Sequence, residues 1–305
     1  MNKLKYILGA LLLPVMVACQ KSEPEKPTFN VSTVKQTYKV GDTVVFSISG
    51  YADLISFYSG EPGKEYRFKD RIESEDSKLK LKIATRSLYG SQTNNLTLWY
   101  STDFNDDYTI DGLKSATWKD ITSRVKLSPY TGGGAGDIVY DDEVDISDLP
   151  VSNTPIYFAW KYEGWASATA ALGGKTWRIH AFDVYNVTAD GRRTDVASAK
   201  SPKWLAIDVV NPVNTWTFSN AAPFMVFAPN STLLPSEDWA VSSALLPNAT
   251  KPDVGLGIKD YLKPMNDYRY AFKNEGNYTI TFVAKNVNNH GDETIIKTLN
   301  ITITK

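Results

Sequence analysis

Two stretches at opposite ends of the chain constrain the fold most, because both alternate strictly between apolar and polar residues. In "VGDTVVFSISG" (40–50), Val44, Phe46 and Ile48 face one way, and Val45, Ser47 and Ser49 face the other. Gly41-Asp42 supplies the turn that starts the run. "EGNYTITFVAKN" (275–286) repeats the pattern after a glycine turn. A period of two is the mark of a β-strand with one buried face. A further strand is expected at 53–60, "DLISFYSG". Short alternating runs broken by Gly, Asn, Asp and Pro recur along the chain, and few stretches show helical spacing. The pattern predicts an all-β protein.

At 305 residues the chain is long enough for two domains. Neither terminal stretch can bury both sheets of a sandwich by itself. Residues 28–72 and 264–305 together suffice for one. Long insertions at loop tips are tolerated because closure entropy grows slowly with length. The economical reading is a single discontinuous sandwich, 28–72 plus 264–305, with residues 73–263 inserted into it. Net charge is about −1, which argues against a nucleic-acid partner. The 17 Tyr and 8 Trp suit half-buried pleated surfaces.

The N-terminus reads as a targeting segment. Lys3 and Lys5 precede an apolar run from Tyr6 to Val17, with Ala18 before Cys19, the only cysteine. The run is too short to span a bilayer and is expected to be a signal peptide, 1–18. The box Met16-Val17-Ala18-Cys19 resembles a lipoprotein signal, which implies lipid attachment at Cys19. Residues 19–27 are polar and proline-bearing, as a tether would be. Lysine and glutamates just after the cysteine resemble the surface-export signal of Bacteroidetes lipoproteins. That implies outer-membrane attachment with display at the cell surface.

The two terminal stretches also resemble a PKD-type module, a small Ig-like sandwich. Such modules open on a "GD-x-V-x-F" strand and close on the pattern seen in "YAFKNEGNYTITFVAKN" (270–286). Within the insert, "NNLTLWYSTDF" (94–104), "SATWKDITSRVKLS" (115–128), "VDISDL" (144–149), "PIYFAWKYEG" (155–164) and "TWRIHAFDVYNV" (176–187) follow in order. Their order resembles galactose-binding-like and choice-of-anchor jelly rolls. The expected fold is thus an Ig/PKD-like β-sandwich with an inserted jelly-roll sandwich. Residues 204–263 are less regular and are expected to hold a helical turn and long loops. As a whole the chain looks like a Bacteroidetes lipoprotein family known as a domain of unknown function, whose members occur among surface and polysaccharide-uptake systems.

Chemistry-bearing residues are sparse. The two histidines, His180 and His290, argue against zinc, which needs several close His or Cys ligands. His180 is placed on the strand face of Phe182 and Val184, and His290 in a hairpin turn. "GGKTW" (173–177) lacks the earlier glycine of a phosphate loop, and "TGGGAGD" (131–137) reads as a flexible turn. Asp103, Asn105, Asp107 and Asp111 take positions 1, 3, 5 and 9 of a calcium-type loop, but Tyr108 and Lys114 replace its glycine and its bidentate glutamate. No cofactor is expected, with structural calcium at those four residues left open. The acidic run 137–148 reads as a solvated loop.

Aromatic residues are the best binding candidates, because sugar rings stack their CH faces on Trp and Tyr. Phe158, Trp160 and Tyr162 share a strand face, and Trp165 lies in the loop beyond. Trp165 and Tyr162 are the candidate ligand contacts. Trp118, Trp160 and Trp177 are assigned to the core. The expected function is a non-catalytic, lipid-anchored surface protein that binds polysaccharide or glycoconjugate for capture and uptake. The alternatives are an adhesive or structural protein with protein partners, and a carbohydrate-active hydrolase, for which no catalytic constellation is visible.

Overall fold

The computed structural model describes residues 23–74, 76–129, 134–150, 154–201, 203–229 and 234–305. The signal segment, Cys19 and part of the 131–137 turn lie outside the described residues. The protein is all-β, with two-sheet sandwiches and one short α-helix, Ile110–Ser115, among the described residues. It divides into two compact units. Of the described residues, the smaller comprises 23–70 and 253–305; the larger comprises those within Arg71–Pro252.

In the smaller unit, strand Thr43–Ser49 is flanked by Asn30–Ser32 and Asp267–Ala271 in a three-stranded sheet. The facing sheet runs in the order Leu256–Lys259, Leu54–Tyr58, Gly276–Asn288, Gly291–Thr304, Thr37–Lys39. The predicted alternation is what packs the two sheets. Val44, Phe46 and Ile48 meet Ile55, Phe57, Ile280 and Phe282 in one core. Phe282 is its hub, with its ring 5.2 Å from Phe46 and 5.1 Å from Phe57. Residues distant in sequence thereby share one hydrophobic interior. The Tyr278 hydroxyl donates to the Asn274 carbonyl at 3.0 Å and ties down the turn before the strand. Gly50 is held at φ +83°, and a Cβ there would lie 2.0 Å from the Thr28 carbonyl oxygen, so no other residue fits. Asn288 pairs with Gly291 across a two-residue hairpin loop containing His290, as predicted.

The larger unit packs a five-stranded sheet on a larger one. The first runs Trp204–Val210, Ser236–Ser242, Tyr157–Gly164, Leu96–Ser101, Lys119–Asp120. The second centres on Thr176–Val187 and Lys78–Leu88, which pair along most of their length. Between them Leu81, Ile83, Leu98, Phe158, Trp160 and Phe182 form the main core. The opposite face of the five-stranded sheet is also covered. Phe104, Leu113, Tyr157, Ile207, Trp239 and Val241 make a second cluster, with Trp118 packed against it.

That double coverage explains one correction. Residues 204–263 hold strands Trp204–Val210, Trp216–Phe218, Met225–Phe227, Ser236–Ser242 and Leu256–Lys259, and no helix among the described residues. Ser236–Ser242 is buried almost throughout. A strand covered on both faces loses the alternation that would reveal it. Residues 253–263, expected in the insert, instead contribute the edge strand Leu256–Lys259 to the smaller unit through its pairing with Leu54–Tyr58.

Candidate functional site

One end of the larger unit collects the groups that could meet a ligand. The N-terminal ends of Leu96–Ser101 and Thr176–Val187 open there on a cavity of about 760 Å³. Its polar lining includes Thr93, Asn94, Thr97, Asp120, Thr122, Ser123, Ser128 and Lys175; its apolar lining includes Leu96, Leu127 and Trp177. Both walls are pinned to strands. Thr122 accepts the Leu98 N–H on its hydroxyl at 2.9 Å and donates its own N–H to Asp120 Oδ1 at 2.7 Å. Ser128 donates its N–H to the Thr85 hydroxyl at 2.9 Å, which ties the 125–129 loop to the other sheet. The Trp177 indole N–H is buried and has no partner among the described residues.

Beside the groove lies a buried amide network. Asn95 donates to Glu163 O at 2.7 Å and to Gln92 Oε1 at 3.2 Å. Gln92 then clamps the backbone of Trp165, donating to its carbonyl at 2.6 Å and accepting its N–H at 3.2 Å. Trp165 is 51% exposed, so its backbone is fixed while its ring meets solvent. Lys175 also borders the groove. Its ammonium donates to Gly90 O at 2.9 Å and Tyr89 O at 3.4 Å, and burial holds its pKa below the usual lysine range. The "GGKTW" lysine is therefore turned onto backbone carbonyls, where it braces the loop end.

Tyr162 requires a correction. It is 1% exposed and stacks on Phe227 with ring centroids 3.9 Å apart. Its position in register beside Asp238 on the inward face makes it core, out of reach of a ligand arriving from solvent. Its hydroxyl would lie 2.0 Å from a Cβ on Gly174, so the glycine is required there. Trp160 and Trp177 are core, as expected.

The four calcium-loop residues are not brought together as ligands. Asp103 accepts from the Ser101 hydroxyl at 2.7 Å and the Thr117 N–H at 2.8 Å, and hydrogen bonding from Thr117 holds its carboxyl low. Asn105 accepts the Asp107 N–H at 3.2 Å, and Asp107 accepts the Thr109 N–H at 3.3 Å. Asp111 sits in the first turn of Ile110–Ser115, which Thr109 caps. The stretch spends its polar groups on closing turns and starting a helix. Among the described residues, no group of three or more His, Cys, Asp or Glu could hold a metal ion.

The acidic run 137–148 is largely paired. Arg124 grips Asp148 at 2.7 and 2.6 Å, Glu143 accepts from the Tyr185 hydroxyl, and Ser147 holds Asp145 down to about 2. A β-bulge between Ile179 and Ala181 takes His180 off the Phe182–Val184 face, to the neighbourhood of Arg86 and Arg178. Burial and those two cations keep its imidazole below the usual histidine range.

Sequence reasoning missed the groove residues Thr93, Asn94, Asp120, Thr122 and Ser123. They are small polar residues of a loop, a two-residue edge strand and a 3-10 turn, and only tertiary folding brings them opposite Trp177.

These features define a β-sandwich protein with a polar, tryptophan-bearing groove at one end of its larger unit. The chain belongs to the family described as Domain of unknown function (DUF5017), whose model matches residues 18–204. No curated protein and no solved structure matched the chain.

Proposed function

We propose that this is a non-catalytic, lipid-anchored protein of the bacterial outer membrane. It binds polysaccharide or glycoconjugate at the groove end of its larger unit, for capture and uptake. The groove carries the reading. Hydroxyl and amide groups of Thr93, Asn94, Thr97, Thr122 and Ser123 offer donors and acceptors, Leu96, Leu127 and Trp177 offer apolar surface, and Trp165 presents a half-exposed ring from a braced backbone. That mixture suits a sugar, with its polar rim and CH faces. Lipid attachment rests on Cys19 and the signal preceding it.

On a glycan array, the purified protein should bind a defined set of sugars. Trp165→Ala should weaken that binding by about tenfold, equivalent to about 1.4 kcal/mol. An array with no bound glycan sinks the reading. Cys19→Ser should move the protein from the detergent to the aqueous phase in phase partitioning; unchanged partitioning would remove the anchor.

A protein partner is the second reading, favoured by one observation. Tyr261 and Leu262 are each 71% exposed beside the open edge strand Leu256–Lys259 of the smaller unit. Exposed apolar side chains next to unpaired strand backbone form a recognised type of docking edge.

A further inference from the structure

The inner face of the five-stranded sheet carries its side chains in rows. One row is apolar throughout: Leu98, Trp160, Ala240 and Ala206 stand in register across four strands. The next row, at the groove end, is Leu96, Tyr162, Asp238 and Asp208. Two carboxylates thus occupy positions where the pattern calls for apolar side chains. Asp238 is 0% exposed. Direct pairing of Asp208 with Asp238 across two strands sets the carboxyl groups side by side on one face, and neither is a donor when ionised.

Other groups nearby supply no remedy. Both Asp238 oxygens and Asp208 Oδ1 are buried without a partner among the described residues. The Trp216 indole donates to the Asp238 backbone carbonyl at 3.3 Å, and the Asn214 amide donates to the Ser236 hydroxyl at 2.6 Å. Ser236 lies near the Asp238 carboxyl but forms no well-made hydrogen bond with it. A separate observation points the same way. The Tyr162 hydroxyl, next in the row and on a side chain 1% exposed, is also buried without a partner. So is the Asn211 amide nitrogen, three residues past Asp208. Asn211 follows a bulge between Asp208 and Val210 and adopts φ +63°. Bulges re-aim side chains and recur next to binding sites.

We propose that Asp208 and Asp238 form the core of a buried site for one divalent, oxygen-preferring cation of the calcium class. Two like charges side by side in a core are strongly unfavourable without a positive partner. A single proton would bridge one oxygen of each carboxyl and leave the second Asp238 oxygen and the Tyr162 hydroxyl bare. A cation between the two carboxyl groups, with its waters, satisfies the Asp208 and Asp238 oxygens and offsets both charges. Hard oxygen donors and no sulfur or imidazole select calcium or magnesium over zinc. Asp208 is only half-buried, which gives the ion a route in from solvent. This site is distinct from the Asp103–Asp111 loop.

The test is thermal unfolding of the full chain at pH 7.5, in chelator and in millimolar calcium or magnesium chloride. Calcium at a hundredfold excess over its dissociation constant should raise the midpoint by roughly 5 °C or more. Asp208→Asn, a half-buried position that tolerates an amide, should abolish the rise, as should Asp238→Asn. Asp107→Asn should leave it intact. No cation-dependent shift in the parent protein overturns the proposal. So does a shift that survives Asp208→Asn or disappears in Asp107→Asn.

Discussion

The two units solve the same packing problem differently. The smaller unit closes on aromatic rings around Phe282, and its buried polar groups have partners. Asp253 accepts the Glu65 N–H at 2.9 Å, and Asn286 accepts the Asp53 N–H at 2.9 Å while donating to Glu25 O. Among the described residues, the larger unit buries polar atoms of Trp160, Tyr162, Trp177, Arg178, His180, Trp204, Asp208, Asn211 and Asp238 without partners, and of these Trp177 lines the groove while Tyr162, Asp238 and Asp208 share the row that begins at the groove residue Leu96. Packing and backbone pairing account for the first unit. They do not account for the second, because an unpaired buried polar group costs about 1–3 kcal/mol. Where a fold retains such groups, function is the place to look.

The two units can be followed separately. All 8 tryptophans, Trp99 to Trp239, lie within Arg71–Pro252. Indole fluorescence therefore reports the larger unit alone.

The largest effect should come from deleting residues 264–305. Strand Thr43–Ser49 would lose Asp267–Ala271, and Leu54–Tyr58 would lose Gly276–Asn288. The smaller unit should unfold completely, seen as rapid tryptic cleavage at Lys39 and Lys64. Cleavage at Lys39 and Lys64 no faster than in the full chain would show that the two terminal segments do not depend on one another.

Next in size is Gly174→Ala in the larger unit. The new Cβ meets Tyr162 Oη, and the tyrosine cannot yield because it is stacked on Phe227. Overpacking of this kind costs about 1–3 kcal/mol. Tyr162→Phe removes the obstructing atom together with a hydroxyl that has no partner. In chelator, Tyr162→Phe alone should stay within about 1 kcal/mol of the parent, and the double variant should recover most of the loss. Denaturant midpoints read by indole fluorescence give the coupling. Simple additivity of the two changes would show that the clash is relieved elsewhere.

The sequence was most legible where one face of a strand meets solvent. Val44–Ile48 and Tyr278–Phe282 announce their own burial. It was least legible where both faces are covered. Ser236–Ser242 hides its period, so Asp238 could not be recognised as an inward residue. Trp165 stood out as an aromatic residue among small polar ones. Its brace, Gln92, and the groove residues Asp120, Thr122 and Ser123 come from separate segments whose meeting depends on the sheet order. The bulge at His180 reversed a face assignment that counting alone could not correct.

The smallest effect, and the one that bears most directly on the contrast between the units, is the pH dependence of the larger one. In chelator, burial and then the neighbouring Asp208 carboxylate push the Asp238 carboxyl up to about 8. An aspartate in the unfolded chain titrates near 3.9. The folded state therefore holds this proton more tightly than the unfolded state, and the stability it supports is complete below about pH 4. That stability is lost as pH rises through about 8, with a slope of at most about 1.4 kcal/mol per pH unit. His180 works in the opposite direction below about 6.5, because its imidazole is held low in the folded state. Asp145 and Asp148, whose carboxyls are also held low, act only in more acidic solution. The Asp183 carboxyl, which burial also raises, acts in the same direction as Asp238, so over roughly pH 6.5–8 the Asp238 contribution is the difference between the parent and Asp238→Asn. Indole-monitored unfolding should show stability falling with pH there, and Asp238→Asn should flatten the curve. With calcium present the slope should reverse, since protons and the cation compete for the same oxygens. A flat curve in chelator would mean that the Asp208–Asp238 pair has found a partner that leaves it indifferent to pH.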